Sequence, residues 1–328
     1  MPDQINIAFV FDDKFVDLFR VAVYSIAKNT ASNLAIYVVD CGISDESKEK
    51  VLRLTKRCAN IVIVKIGAPK RVEALEKFPI PQHFSSAVFY RLAISKIFPN
   101  LTRVIYLDCD TVVDGDIVEL WNEDLAGRPF GVVEEDGNFF PNKTKLRRQK
   151  ELGLGEEKRY YNSGVLLINC QEFERAKVFE RAIGQVKNTS VPLLCPEQDA
   201  MNVCLENNEH MPLSPRYNFI PFTPLYYEVL KKINPLIIHY ASTKPWQINR
   251  RLIKLLHFCG MFRSSSKILL KFWEYADAAA FKGMQSSSVD VTLKFLYKRA
   301  FQPIERAISG VCGNMASIAA KHFKFTAK

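Results

Sequence analysis

Apolar positions in the first part of the chain fall into short runs separated by stretches of helical period. Residues 5–11 (Ile-Asn-Ile-Ala-Phe-Val-Phe), 34–39 (Leu-Ala-Ile-Tyr-Val-Val) and 61–66 each read as a buried strand, because a strand covered on both faces is apolar nearly throughout. Between the first two, Phe19, Val23 and Ile26 share one face and predict a helix from about Val16 to Lys28. Ser44 stands where an N-cap belongs, ahead of a charged helix running to about Arg57. Further along, the pattern predicts a helix near Ser86–Phe98, a strand entering at Val104, and strands at Phe130–Val133 and Val165–Ile168. A helix around Pro196–Asn207 and a strand at Leu236–Tyr240 complete the set. Strand and helix alternating at this spacing predict an α/β sheet with parallel strands and helices on both faces.

Two stretches break the alternation. Residues Glu134–Arg159 are polar, charged and Gly-containing, and read either as a lid or substrate loop over the surface or as a solvated helix pair. Beyond Arg250, basic residues interleave with Leu, Ile, Phe and Trp.

One strand leads into chemistry. In Val104-Ile-Tyr-Leu-Asp-Cys-Asp-Thr-Val-Val113, four apolar residues run into two aspartates one residue apart. Such a strand end delivers both carboxylates to the carboxyl edge of a sheet, where α/β proteins bind ligands. Two hard oxygen donors there suit Mg²⁺ or Mn²⁺ beside a diphosphate, which points to a nucleotide-diphosphate enzyme. Asp-x-Asp also serves simply to cap a following helix. An EF-hand loop fails, because counting from Asp110 puts Val112 at a ligand position and Trp121 where a glutamate belongs. The serious rival is an aspartyl-phosphate phosphatase with Asp108 as nucleophile, since Asp108–Val112 matches that motif literally.

Composition narrows the class. With 328 residues, 48% of them hydrophobic, the chain can hold one large domain and an appendage. Met1-Pro-Asp-Gln-Ile5 has no basic region and the following apolar run stops at Asp12, so no secretory signal is expected. A spanning helix is not expected either, for want of about 18 uncharged apolar residues in a row. The eight cysteines occur singly, without a Cys-x-x-Cys pair, and read as buried thiols of a reducing cytosol. The net charge of +10 is local: residues 251–328 hold 13 Lys and Arg against 4 Asp and Glu, leaving 32 against 31 for residues 1–250. A catalytic region over 1–250 and a basic appendage over 251–328 are therefore expected. No nucleic-acid motif accompanies the charge, and nucleic acid is not expected as a partner.

Six separated segments fit one picture: Phe11-Asp-Asp-Lys-Phe15, Phe89-Tyr-Arg-Leu92, Leu107-Asp-Cys-Asp110, Tyr161-Asn-Ser-Gly-Val-Leu-Leu-Ile-Asn169, Pro196-Glu-Gln-Asp-Ala-Met-Asn202 and His239-Tyr-Ala-Ser-Thr-Lys-Pro-Trp246. In this order and spacing the chain resembles family 8 glycosyltransferases, especially the bacterial lipopolysaccharide galactosyl- and glucosyltransferases, over roughly residues 5–246. The phosphatase reading accounts for one of the six segments and leaves the others unexplained. The resemblance implies the GT-A fold, a Rossmann-like mixed sheet flanked by helices. It also implies transfer of a hexose, galactose or glucose, from a UDP-sugar to a lipopolysaccharide or related glycan with retention of configuration.

Carried onto this chain, the resemblance implies Asp108, Asp110 and His239 as ligands of Mn²⁺ or Mg²⁺, with imidazole favouring Mn²⁺. It implies Asp12, Lys14 and Phe15 at the nucleotide, Phe15 replacing the family's usual tyrosine on uracil and Lys14 its usual asparagine. Lys244 is implied at the diphosphate, in a loop shorter than the family's. Arg91, Asn162, Gln198 and Asp199 fall at donor-sugar positions. Gln198 is implied beside the anomeric carbon, with Glu197 and Asp199 completing the catalytic group. An amide is a poor nucleophile, so a front-face displacement assisted by the leaving group asks less of Gln198 than a covalent route. A catalytically silent relative that binds nucleotide sugar or glycolipid is the non-enzymatic alternative.

Residues 251–275 mix cations with bulky apolar groups, and residues 291–301 repeat the mixture. Amphipathic basic helices of this kind lie in the interface of anionic bilayers, which here would put Phe272 and Trp273 in the acyl boundary. The alternative is that they pack on the protein with their cations facing water. The expected acceptor is a lipid-linked glycan or oligosaccharide, and the expected location is the cytoplasm, peripheral at the inner face of an anionic membrane.

Overall fold

The structure, a computed structural model, describes residue 2 and residues 4–67, 86–135, 149–155, 158–188, 191, 193–205, 209–221, 233–248, 250–258 and 263–278. The chain divides into two compact units, Met1–Ile220 with Ile233–His239, and Pro221–Lys232 with Tyr240–Lys328.

In the first unit, β1 (Gln4–Phe11), β2 (Asn33–Asp40) and β3 (Ile61–Gly67) run parallel in the order β3-β2-β1, linked by α1 (Val16–Asn29) and α2 (Asp45–Arg57). Phe19, Val23 and Ile26 are buried on α1, and Phe19 packs on Phe11 and edge-on to Phe9, with ring centroids 4.6 and 5.0 Å apart. The Ser44 hydroxyl caps α2 by accepting from the Ser47 amide at 3.3 Å.

On the other side of β1 lies β4 (Arg103–Leu107), also parallel to it, so strand order reverses at β1. That reversal opens a crevice beyond the carboxyl ends of β1 and β4. β7 (Tyr161–Asn169) runs antiparallel between β4 and β6 (Phe130–Glu134), and the short β8 (Met211–Pro212) pairs with β6. The result is a mixed seven-stranded sheet in the order β3-β2-β1-β4-β7-β6-β8. α3 (Ile94–Ile97), α4 (Val118–Trp121), α5 (Cys170–Arg175), α6 (Val178–Asn188) and α7 (Pro196–Cys204) are further helices among the described residues of this unit.

β4 ends as expected, running into Asp108 and Asp110; beyond them β5 (Thr111–Val113) pairs antiparallel with β9 (Ile237–His239) in a separate two-stranded sheet. One expectation needs correction. The single helix expected near Ser86–Phe98 is a 3₁₀ segment over Ser86–Ala93 followed by the one α turn of α3. With three residues per turn, side chains three apart line up. Arg91 Nε accordingly donates to the Val88 carbonyl at 3.1 Å, and its outer nitrogens are left for the carboxylates of the site.

The second unit contains α8 (Arg250–Phe258) and α9 (Arg263–Ala278). Phe272 and Trp273 are 1% and 4% exposed, and Phe272 packs against Tyr240 and Trp246. Their expected place in lipid is thus overturned: burial inside this unit already removes both rings from water. Among the described residues no helix is long and apolar enough to cross a membrane. Residues 291–301 and 136–148 lie outside the described residues.

Candidate functional site

The strand reversal gathers the chemistry-bearing residues at one edge. Ala8 of β1 is level with Tyr106 of β4, so Asp12 and Asp108 both emerge at the carboxyl side. β7 enters the same edge from the opposite direction, and the Asp108 amide donates to the Gly164 carbonyl at 2.8 Å. β9 brings His239 opposite Thr111.

One oxygen each of Asp108 and Asp110 and a ring nitrogen of His239 lie within 4.8 Å of one another. His239 Nε2 is 3.2 Å from Asp110 Oδ1 and 3.6 Å from Asp108 Oδ2, while Nδ1 is 2.9 Å from Asn218 Oδ1. The Asn218 amide is oriented from behind: its Nδ2 donates at 2.9 Å to Asn162 Oδ1, which also accepts from the Gly164 amide at 2.9 Å. Asn218 therefore presents an acceptor to the ring, so Nδ1 carries a proton and Nε2 is the nitrogen turned to the two carboxylates. A proton or a divalent cation at Nε2 suits that setting. Two hard oxygens with one imidazole form a donor set that fits Mn²⁺ and also admits Mg²⁺. Packing around the ring is tight, because a Cβ on Gly164 would stand 2.2 Å from His239 Cε1 and 2.8 Å from Asp108 Oδ2.

Arg91 bridges this cluster to the helix beyond. Its Nη2 lies 3.1 Å from Asp108 Oδ1 and its Nη1 3.3 Å from Asp108 Oδ2, 3.1 Å from Ser163 Oγ and 3.5 Å from Glu197 Oε1. Burial opposes the charge on Arg91, but Asp108 above all, with Glu197, outweighs it and holds the guanidinium charged. The same burial raises the Glu197 pKa above the ordinary carboxylate range, with Arg91 partly offsetting it. Tyr106 is pushed up by burial too; it stays protonated and donates to Asp108.

On α7, Gln198 is fixed at both ends of its amide. Its Oε1 accepts from the Ser163 amide at 3.0 Å, and its Nε2 donates to Glu135 Oε2 at 2.8 Å and to the Tyr160 hydroxyl at 3.0 Å. Tyr160, held protonated by burial, donates in turn to Asp199 Oδ1 at 2.6 Å. Asp199 Oδ2 accepts from the Leu194 and Cys195 amides at 2.8 and 3.0 Å, which ties down the loop entering α7. Both Asp199 oxygens are thus occupied by the protein itself.

At the end of β1, Asp12 Oδ1 accepts from the Lys14 amide at 3.0 Å, forming a turn that displays Phe15 with 42% of its surface exposed. Lys14 is exposed beside it. Lys244 belongs to the second unit, where its ammonium sits 5.3 Å from the Trp246 ring centroid.

The structure thus brings Asp108, Asp110, His239, Arg91, Asn162, Glu197, Gln198 and Asp199 into one connected network. Asn218, Tyr106, Tyr160 and Glu135 belong to it as well, and sequence reasoning missed them. Asn218 and Tyr160 stand outside the six segments, and Tyr106 and Glu135 lie in stretches read only as an apolar strand and a polar loop, so none of the four carried a signal of its own. Asp108 has both oxygens engaged by Arg91 and Tyr106, an arrangement unlike a nucleophile waiting for a phosphoryl group.

Known proteins share this architecture. The crystal structure of galactosyltransferase LgtC in complex with donor and acceptor sugar analogs matches with a TM-score of 0.66 at 21% identity, covering 84% of this chain and 96% of that one. The fold is therefore GT-A. Lipopolysaccharide 1,2-glucosyltransferase of Escherichia coli (strain K12) is 30% identical over 254 residues, 74% of this chain and 72% of that protein. Lipopolysaccharide 1,3-galactosyltransferase of Salmonella typhimurium (strain LT2) is 27% identical over 256 residues, 74% of this chain and 73% of that protein. The model of glycosyl transferase family 8 matches residues 6–250, and the chain belongs to that family.

Proposed function

We propose that this protein is a retaining hexosyltransferase that moves galactose or glucose from a UDP-sugar to a lipopolysaccharide or related glycan. The observation that carries the proposal is the convergence of His239 Nε2 with the carboxylates of Asp108 and Asp110, a candidate cation site at the carboxyl edge of the GT-A sheet. The glucosyl- and galactosyltransferases among its relatives support the acceptor class.

Asp108, Asp110 and His239 hold Mn²⁺, with Mg²⁺ the alternative ion. When bound, that cation supplies positive charge against which the diphosphate departs. Phe15 stacks on the uracil and Asp12 with Lys14 borders the nucleotide. Lys244 adds a point charge at the diphosphate. Arg91 keeps Asp108 and Glu197 at a fixed separation while neutralising both, and Asn162 and Gln198 orient the donor sugar. The amide of Gln198 is held with its oxygen on the Ser163 amide and both N–H bonds spent on Glu135 and Tyr160. Such a group steadies charge on an oxocarbenium-like centre better than it forms a covalent bond, which favours front-face displacement. Asp199 acts through the loop it ties down and through Tyr160. The basic appendage from residue 251 supports work at the cytoplasmic face of an anionic membrane.

The test is a donor panel scored by UDP release, with and without Mn²⁺. Release from UDP-galactose or UDP-glucose that EDTA abolishes, and that falls by several orders of magnitude in Asp108→Asn and Asp110→Asn, supports the proposal. UDP binding without turnover of any donor would mark a catalytically silent relative instead.

A further inference from the structure

The second unit carries a cleft that the transfer chemistry does not use. Arg250, Lys254 and His257 on α8 stand at positions i, i+4 and i+7, and Lys267, Lys271 and Glu274 on α9 repeat the spacing. Residues so spaced share a helix face. The two stripes line one open cleft of about 340 Å³. That lies within the range of small-ligand sites.

The chemistry of this cleft is that of an anion receptor. Arg250 is paired with Asp277, and Lys271 lies 3.5 Å from Glu274, so the acids of the helix pair answer part of the positive charge. Lys254 and Lys267 are exposed and add to it. Two buried nitrogens among the lining residues, Trp273 Nε1 and Arg250 Nε, have no hydrogen-bond partner. Both are donors, so what they lack is an acceptor. Next to His257, the last residue of α8 is Phe258, which is 89% exposed and the most exposed large apolar side chain described. Cations beside a bare aromatic ring are the pairing that suits a lipid interface, phosphate above and acyl chains below.

We propose that the α8–α9 cleft binds the phosphate of an anionic lipid headgroup while Phe258 enters the acyl boundary. This rests on the reading above that the enzyme works at an anionic membrane, and it moves the apolar anchor from Phe272 and Trp273, which are buried, to Phe258.

The full-length protein is sedimented with phosphatidylcholine vesicles with and without phosphatidylglycerol, and UDP-sugar hydrolysis is read separately in vesicle-free solution. Wild type should bind the anionic vesicles. Each cation near such a surface is worth about fivefold in partition, so Lys254→Gln with Lys267→Gln should weaken binding about twenty-five-fold. Lys254→Arg with Lys267→Arg should retain it, which separates charge from folding. Phe258→Ala should remove the binding that persists at 1 M salt, where screening acts within about 3 Å, a loss of about tenfold or more. Pyrophosphate should displace the protein from vesicles more than chloride at equal ionic strength. Hydrolysis should be unchanged in every one of these variants.

Three results would overturn the proposal. One is undiminished vesicle binding by the Gln pair. Another is an equal loss from Arg53→Gln with Lys56→Gln on α2, which would mean that net charge alone attracts the protein. The third is pyrophosphate binding at the cleft with no vesicle binding, which would make it a site for soluble polyphosphate. Vesicle binding in a wild type that hydrolyses no UDP-sugar would count against the transferase reading and leave the cleft supported.

Discussion

Asn218 Oδ1 lies 2.9 Å from His239 Nδ1 and so determines which ring nitrogen of the histidine bears the proton. Outer partners of metal-ligating histidines typically change metal affinity about 10–100-fold when removed. Asn218→Leu should therefore weaken Mn²⁺ binding by that factor, read from the electron paramagnetic resonance signal of free Mn²⁺ without any turnover. Asn218→Asp keeps an acceptor for Nδ1–H while losing the donor to Asn162, and should bind Mn²⁺ about as well as wild type. Equal losses in the two variants would show that the contact with Asn162, and not the tautomer, is what matters.

Phe15 offers a second test, at the nucleotide end. Its exposure of 42% is costly for a phenylalanine unless a ligand covers it. Phe15→Ala should weaken UDP binding by about 1–3 kcal/mol, the range for a base stacked on an aromatic ring, with little change in stability. Phe15→Tyr should bind as well as wild type or better. Calorimetric titration with UDP checks both, and an unchanged affinity in the alanine variant would remove Phe15 from the site.

The fold was legible where burial is two-sided and connections are local. Ile5–Phe11 and Leu34–Val39 read as strands because they are largely buried, and Phe19, Val23 and Ile26 marked the face of α1. Ile61–Ile66 also forms a strand, but the burial expected of it is not met: it lies at the sheet edge, with Ile61 buried and Val62 half exposed. The pairing of Val112 with Ile238 was not legible, because two short apolar runs far apart in sequence say nothing of each other. Nor was the 3₁₀ winding of Ser86–Ala93, whose composition suits an α-helix equally. In the site, Asp108, Asp110 and His239 were found through motifs, and the structure brings them together. Asn218 and Tyr106 act by orienting those groups, and no periodicity or spacing marks that role. Phe272 and Trp273 misled, since a basic aromatic helix has the same composition whether its rings face lipid or its own unit.

Gly164 tests how tightly β7 passes the metal cluster. An alanine methyl there would stand 2.2 Å from the His239 ring and would force the ring or the strand to move. Gly164→Ala should cost about 1–3 kcal/mol of stability, as overpacking does, and should displace His239 enough to lower Mn²⁺ affinity. A methyl on Gly184, within α6, would instead meet nothing within 4 Å. There Gly184→Ala should stabilise by about 0.5–1 kcal/mol through helix propensity alone. Urea unfolding of both variants checks the contrast, and a destabilised Gly184→Ala would show that the helix is constrained in some other way.

Glu197 makes a prediction about pH. Burial raises its pKa in the folded protein, while in the unfolded chain it returns to the ordinary value of 4.5. Between those two values the native state holds a proton that the unfolded state has released, so this group's contribution is fully present below 4.5 and is lost as pH rises through the folded pKa. Asp40, Glu180 and Asp277 have lowered pKa values and act in the opposite sense, losing stability as pH falls, but they are common to wild type and variant. The difference between Glu197→Gln and wild type therefore isolates Glu197. In EDTA, with the cation site stripped, the stability of Glu197→Gln relative to wild type should grow as pH rises from about 4.5 and then level off. Denaturant melts across that range give the curve. Two parallel curves would mean that Arg91, 3.5 Å away, keeps Glu197 ionised throughout, with the ion pair outweighing the burial.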